Sequence, residues 1–236
     1  MLYIVGTPIG NLEDMTLRAI RILKEVDYIF SEDTRVTKKL LTYFKIETVV
    51  YRYDEYSKME QIPTMINLLK NGKSIALTTD AGMPCISDPG FEIVDAALNE
   101  GIKVVPIPGP SAMTTAASIA GMNTSRIAFE GFLPKKKGRQ TLLKELATEE
   151  RTIILFESPH RVEKTLNDIK EYIGERQVVI AREITKIYEE IIRGNTSELL
   201  DKIKGREFKG EVVMLISGYI KIREKRGNKY SVNDED

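Results

Sequence analysis

A single cysteine, Cys85, and a single histidine, His160, are all that 236 residues offer of the two commonest soft-metal ligands. One thiol excludes an intramolecular disulfide and a cysteine-rich metal site, and one imidazole removes the usual zinc ligand sets, so no metal is expected. No apolar run approaches the length of a membrane-spanning helix. The opening Met1-Leu2-Tyr3-Ile4-Val5 meets Gly6 too early to be the apolar core of a secretory signal. These absences predict a cytoplasmic protein without a membrane partner. Net charge is also lacking, with 35 Lys+Arg against 35 Asp+Glu, so the composition does not announce the basic face of a nucleic-acid binder. What remains is 42% apolar and 30% charged content, the balance of a globular chain with a substantial core.

Short β-rich runs alternate with helical periods almost from end to end. Strands are predicted at Leu2 to Val5, Tyr28 to Phe30, Thr48 to Tyr51, Ser74 to Leu77 and Lys103 to Ile107. Between them lie helical stretches at Thr16 to Val26 (with Thr16 as N-cap), Val36 to Phe44, Met59 to Leu69 and Glu92 to Asn99. That alternation implies βαβ crossovers and a mostly parallel five-stranded sheet. After a helix of small residues from Ser111 to Ala120, further strands are expected near Ile127 to Glu130, Thr152 to Phe156, Gln177 to Ala181, Ile187 to Ile192 and Glu211 to Ser217. The accompanying helices are expected at Arg139 to Ala147, Arg161 to Ile173 and Ser197 to Lys204. No crossover helix fits between Ala181 and Ile187, so this second sheet is expected to be mixed. The reading is an α/β protein of two α/β domains, residues 1–115 and 116–222, with a cleft between them. A polar tail at 223–236 has no sustained apolar face and is expected to be frayed.

Three of the predicted strands run into loops of restricted, small residues. The first enters Val5-Gly6-Thr7-Pro8-Ile9-Gly10-Asn11-Leu12, which lacks the Lys-Ser/Thr pair of a nucleotide P-loop and the third glycine of a dinucleotide fingerprint. The fourth enters Thr78-Thr79-Asp80-Ala81-Gly82-Met83-Pro84-Cys85-Ile86-Ser87-Asp88-Pro89-Gly90, and the fifth enters Pro108-Gly109-Pro110-Ser111-Ala112. Each alone reads as a turn. Three at the carboxyl ends of strands in one sheet point to a shared ligand crevice, because folding requires only ordinary turns there. Ser111 is suited to cap the helix that follows, leaving first-turn amides for a polar ligand.

With Ser31-Glu32-Asp33-Thr34-Arg35, Gly131-Phe132-Leu133-Pro134 and Phe156-Glu157-Ser158-Pro159-His160-Arg161, these segments form an ordered series that resembles the tetrapyrrole methylase superfamily. Within it the chain is most similar to the small-subunit ribosomal RNA methyltransferase I family, the 16S rRNA (cytidine 2′-O)-methyltransferases, over roughly residues 1 to 218. The resemblance implies class III methyltransferase architecture, S-adenosylmethionine as cofactor, 16S rRNA of the small ribosomal subunit as partner, and a homodimer. It also implies that Ile9 lies beside the cofactor and that Asp80 and Met83 meet its ribose and amino-acid portion. Ser111 and Ala112 would meet its methionine end, Phe156 its adenosine, and Gly210 and Glu211 its adenine edge. A carboxylate suits hydroxyls or an ammonium group, free amides suit a carboxylate, and an aromatic face suits adenine. Members of this family often continue into a helical C-terminal extension, where this chain ends in Asn233-Asp234-Glu235-Asp236.

Methyl transfer to a ribose hydroxyl needs an aligned oxygen and a group to receive its proton. Candidates are Glu32 and Asp33 with Arg35 beside them, and Glu157 with His160. Glu32-Asp33-Thr34-Arg35 also reads as an N-cap and first turn, and His160 as a helix-start residue. Lys135, Lys136, Lys137 and Arg139 follow Gly-Phe-Leu-Pro and form, with Arg161, a candidate contact for RNA phosphate. The runner-up function is a precorrin- or uroporphyrinogen-type tetrapyrrole methylase, whose acidic macrocycle the same cations suit. A reading of another class is a non-catalytic RNA- or cofactor-binding protein.

Overall fold

Apolar runs too short for helices become the strands of a first sheet in the computed structural model, which describes residues 1–220. They are β1 (Leu2–Val5), β2 (Tyr28–Ser31), β3 (Val50–Arg52), β4 (Ile75–Thr78) and β5 (Val104–Ile107), all parallel, in the spatial order β3-β2-β4-β1-β5. Between them run α1 (Leu17–Glu25), α2 (Thr34–Tyr43), α3 (Lys58–Lys70) and α4 (Phe91–Asn99). Thr16 caps α1 as its position suggests, its hydroxyl accepting from the Ala19 N–H at 3.1 Å. Helices α1 and α2 bury Ala19, Ile22, Leu23, Leu40 and Leu41 against Val5, Ile29, Ala76 and Ile107 on one face. On the other face α3 and α4 bury Met65, Leu69, Ile93 and Ala97 against Leu2, Ile4, Phe30, Ile75 and Leu77. β1 and β4 are neighbours, yet the chain leaves them for helices on opposite faces. The crevice between their loops is the topological switch point at which open α/β sheets receive ligands.

The second sheet is mixed. After α5 (Ala112–Ile119) come β6 (Ile127–Phe132), α6 (Arg139–Leu146), β7 (Thr152–Glu157), α7 (Val162–Asp168), β8 (Gln177–Arg182), β9 (Glu190–Asn195), α8 (Thr196–Ile203) and β10 (Val212–Ile216). The order is β6-β7-β10-β8-β9, with β6 and β7 parallel and the remaining pairs antiparallel. Period-two alternation sends Ile153, Leu155, Met214 and Ile216 toward α6, α7 and α8. Their neighbours Ile154, Val213 and Leu215 face Ala116, Ala117 and Ala120 at α5, together with Ile9 of the first-sheet loop. α5 thus joins the two sheets, and its alanines let the second one approach closely. The division at residue 115/116 falls inside this helix.

Two expected elements shift. The strand expected at Ile187 to Ile192 begins at Glu190, because Glu183 and Thr185 adopt positive φ (51° and 70°) in a tight loop. The Glu189 carboxylate holds that loop by accepting from the Thr185 N–H at 2.7 Å. The helix expected from Arg161 starts as a short 3-10 turn at Pro159–Arg161, and its last turn, Ile169–Ile173, is wound wider than an α-helix. The polar tail expected at 223–236 lies outside the described residues.

Candidate functional site

The loops after β1 and β4 are fastened to each other across the switch point. Thr7 N–H donates to the Gly82 carbonyl at 2.9 Å, Gly82 N–H returns a bond to the Thr7 carbonyl at 3.1 Å, and the Thr7 hydroxyl donates to the Thr79 carbonyl at 3.1 Å. The loop after β5 lies against them. A Cβ on Gly6 would fall 2.7 Å from the Gly109 Cα, and one on Gly109 would fall 2.8 Å from the Gly6 Cα. Both positions therefore require glycine. Across the cleft, β6 carries a bulge ahead of Gly131, which has φ of 58°, and a Cβ there would lie 2.7 Å from the Ser87 hydroxyl. Ser87 and Cys85 themselves hold positive φ, so the Thr79-to-Gly90 loop is as prescribed in conformation as its composition suggests.

Together these loops and the facing ends of β6, β7 and β10 enclose a cavity of about 410 Å³. All eight residues expected at a cofactor line it: Ile9, Asp80, Met83, Ser111 and Ala112 from the first sheet and α5, and Phe156, Gly210 and Glu211 from the second. Phe156 is braced edge-on by Phe129 and Phe132, with ring centroids 5.1 and 5.7 Å away, which sets an aromatic wall on the second-domain side. Ser111 occupies the N-cap position of α5 but its hydroxyl makes no capping bond, leaving the first-turn amides uncapped beside the cavity. Asp80 stands at the mouth, open to solvent at its edge, and its carboxylate accepts from the Asp33 N–H at 3.0 Å. Desolvation, followed by the charges of Glu32 and Asp33, raises its pKa.

Residues 1–200 match the family Tetrapyrrole (Corrin/Porphyrin) Methylases. The chain belongs to that family. The methylase is 48% identical over 217 residues to ribosomal RNA small subunit methyltransferase I of Thermotoga maritima, covering 92% of this chain and 98% of the relative. It is 49% identical to the protein of the same name from Halalkalibacterium halodurans, over 92% of this chain and 75% of that one. Among solved structures, a cobalt precorrin-4 methyltransferase superposes with a TM-score of 0.69 at 21% identity, over 92% and 94% of the two chains. That last likeness speaks to the fold, two α/β domains about a cleft.

The methylase brings some expected catalytic groups to the cavity and turns others away. Glu32, at the end of β2, lines the cavity and accepts from the Thr79 hydroxyl at 2.9 Å. Asp33 is the N-cap of α2: its carboxylate accepts from the Arg35 N–H at 2.8 Å and pairs with the guanidinium at 2.6 Å. The Arg35 pairing holds its pKa well below the usual carboxylate range, which makes it a poor proton acceptor. Arg35 itself is exposed at 86% of its side chain. Glu157 borders the cavity but is only 2% exposed, and its oxygens are engaged by Arg161 at 2.6 Å, the Ser158 N–H at 2.7 Å and the Thr165 hydroxyl at 2.6 Å. His160 faces a separate hollow beside Glu163, Arg206 and Phe208.

The basic cluster divides as well. Lys135, Lys136 and Lys137 are exposed, whereas Arg139 is only 5% exposed. Arg139 donates to Asp168 at 2.7 Å, to the Pro134 carbonyl at 3.2 Å and to the Thr165 hydroxyl at 2.8 Å. Thr165 in turn donates to Glu157, which pairs with Arg161, so both arginines expected at RNA are committed to an internal network under the cavity wall. A basic run cannot reveal this, because burial depends on which helix face turns inward.

Sequence reasoning passed over two lining residues that matter. Thr79 is buried between Glu32 and Asp88 and hydrogen-bonds both. Asp88 is half-buried on the cavity wall, and desolvation, then the nearby Glu32 charge, pushes its pKa up to about 7. In the sequence Asp88 sits in Ser87-Asp88-Pro89-Gly90, where the turn chemistry of Pro and Gly masks it. The available signal is its sharing of one restricted loop with Asp80.

Proposed function

We propose that this methyltransferase takes its methyl from S-adenosylmethionine and delivers it to small-subunit ribosomal RNA, at the ribose 2′-hydroxyl of a cytidine. The observation that carries the acceptor is the 48% identity spanning 98% of a relative named for small-subunit ribosomal RNA. A tetrapyrrole acceptor is not favoured, since the precorrin enzyme stands at 21% identity. The cavity's donor set suits the cofactor: aromatic Phe156 for adenine, Asp80 for hydroxyls or an ammonium group, and the open amides at Ser111 and Ala112 for a carboxylate. Held there by Asp80, Phe156 and the amides at Ser111 and Ala112, the cofactor would supply an electrophilic sulfonium methyl with a neutral thioether as leaving group.

The chain's own part is alignment and proton handling. Glu32 stands on the walls of both the cofactor cavity and a neighbouring hollow, where it is suited to receive the hydroxyl proton. Thr79 holds its carboxylate, and Asp88 lies within the same hydrogen-bonded cluster. The exposed Lys135, Lys136 and Lys137 suit RNA phosphate. The working assembly in this reading is a cytoplasmic homodimer, supported by Ile187 and Tyr188 standing exposed on the loop before β9. Light scattering should then return twice the 26.7 kDa chain mass.

The deciding experiment is transfer of labelled methyl from S-adenosylmethionine to small ribosomal subunits assembled with unmodified RNA, followed by nucleoside analysis for 2′-O-methylcytidine. Transfer to a corrinoid precursor and none to RNA would reverse the choice of acceptor. Cofactor binding without transfer to either acceptor would favour the non-catalytic reading. Glu32→Gln is expected to lower kcat by roughly 10²- to 10⁴-fold while cofactor affinity by calorimetry stays at the wild-type value. Full turnover in that variant would remove Glu32 as the proton acceptor.

A further inference from the structure

The cofactor cavity shares Glu32 and Asp80 with a second hollow of about 520 Å³, set above the ends of β2 and β3. Its outer rim is the loop from Tyr53 to Ser57 that leads from β3 into α3. That loop is built to be stiff. Tyr53 anchors it from inside the core, and Asp54 accepts from the Ser57 N–H at 2.8 Å and the Ser57 hydroxyl at 2.7 Å while pairing with Arg52. Lys58 closes its far end by bridging Glu55 and Glu92. At the tip of this braced loop stands Tyr56, 91% exposed.

An aromatic ring left in water on a stiff support is a surface prepared for another flat group, since nothing among the described residues covers it. The rest of the hollow narrows the choice. Arg35 and Arg52 form two matched pairs, each two residues from its carboxylate partner: Asp33 takes Nε and Nη2 of Arg35, and Asp54 takes Nε and Nη2 of Arg52. Each guanidinium keeps Nη1 without a partner among the described residues, on a side chain mostly open to solvent. The hollow thus offers a ring for stacking at its rim and, on walls that also carry Asp33, Asp54 and Glu55, two guanidiniums each held in place by its carboxylate with one Nη1 still free to donate. At its floor are the two carboxylates that also border the methyl donor's cavity. Base on aromatic and phosphate on guanidinium are the contacts by which proteins hold an unstacked nucleotide.

We propose that this hollow is the acceptor-nucleotide pocket. The base of one unstacked ribonucleotide lies on Tyr56, its flanking phosphates meet Arg35 and Arg52, and its ribose hydroxyl is delivered to the Glu32–Asp80 wall. The assignment rests on the RNA-methylation reading above and adds the site where the acceptor is held. Stacking on Tyr56 needs a base whose face is free, so the target nucleotide is one that is unstacked in the RNA or drawn out of its stack on binding.

The test compares wild-type protein with Tyr56→Ala and Tyr56→Phe, using labelled methyl transfer to small subunits assembled with unmodified RNA. Tyr56→Ala is expected to raise the KM for the subunit by about tenfold or more, the size expected for losing one stacked base, and Tyr56→Phe to restore it. The KM for S-adenosylmethionine and the thermal midpoint stay at wild-type values, because Tyr56 neither lines the cofactor cavity nor packs in the core. Wild-type transfer with an unchanged KM in Tyr56→Ala overturns the pocket assignment alone. A wild-type protein that binds S-adenosylmethionine and methylates no RNA overturns the functional reading, and the pocket with it.

Discussion

Four carboxylates within this methyltransferase show how surroundings divide identical chemistry. Asp33 is bound to a guanidinium and caps a helix; Glu157 is buried and spends its oxygens on Arg161, Ser158 and Thr165. Glu32 and Asp88 face the cavity with Thr79 between them. Asp88 has a consequence measurable without substrate. Its pKa of about 7 in the fold, against an ordinary 3.8, means that the folded protein keeps a proton the unfolded chain releases between about pH 4 and 7. Stability associated with Asp88 is therefore fully present below about pH 4 and is lost as pH rises through that window. Asp88→Asn should melt close to wild type near pH 4 and increasingly above it toward pH 8. A melting difference that does not change with pH would show that Asp88 is ionised throughout. The sequence makes carboxylates countable but says nothing of desolvation, so Asp88 stayed hidden while Asp33 was already legible as a possible N-cap.

At the scale of elements, the loops after β1, β4 and β5 carry the site, and their small residues are requirements of contact. Gly6 and Gly109 meet backbone to backbone, and Thr7 and Gly82 exchange two hydrogen bonds. Gly109→Ala would press a methyl into the Gly6 backbone, an overpacking with a cost of about 1–3 kcal/mol in stability, read by denaturant titration, together with weakened cofactor binding. A loss below about 0.5 kcal/mol would mean that the loops can part, and the fixed-crevice picture would fail. These loops were readable from composition because Gly, Pro and paired hydroxyls have few conformational uses. The start of β9 was not: Ile187 and Tyr188 have strand propensity, but positive φ at Glu183 and Thr185 turns the chain away until Glu190.

Across the whole molecule, two α/β domains close on α5, whose alanines meet the alternate residues of the second sheet while its first turn faces the cavity. The basic segment beyond β6 rides on the second domain near this cleft, with Lys135, Lys136 and Lys137 outward and Arg139 folded inward. Replacing the three lysines with glutamine should reduce the slope of log affinity for single-stranded RNA against log salt by about 2, given roughly 0.7 counterion released per phosphate contact. Filter binding across a salt series measures it, and an unchanged slope would make the cluster a solvated helix entrance. Strand and helix alternation, the mixed second sheet and the restricted loops that line the cavity were all present in the order of residues, because periodicity and the conformational limits of Gly and Pro are local properties. The fates of Arg139, Arg161, Glu157 and Asp88, and the meeting of Glu32, Asp80 and Tyr56 around one hollow, required the packed domains. Burial, ion pairing and shared walls are made by segments far apart in the chain, and no local pattern encodes which of them will meet.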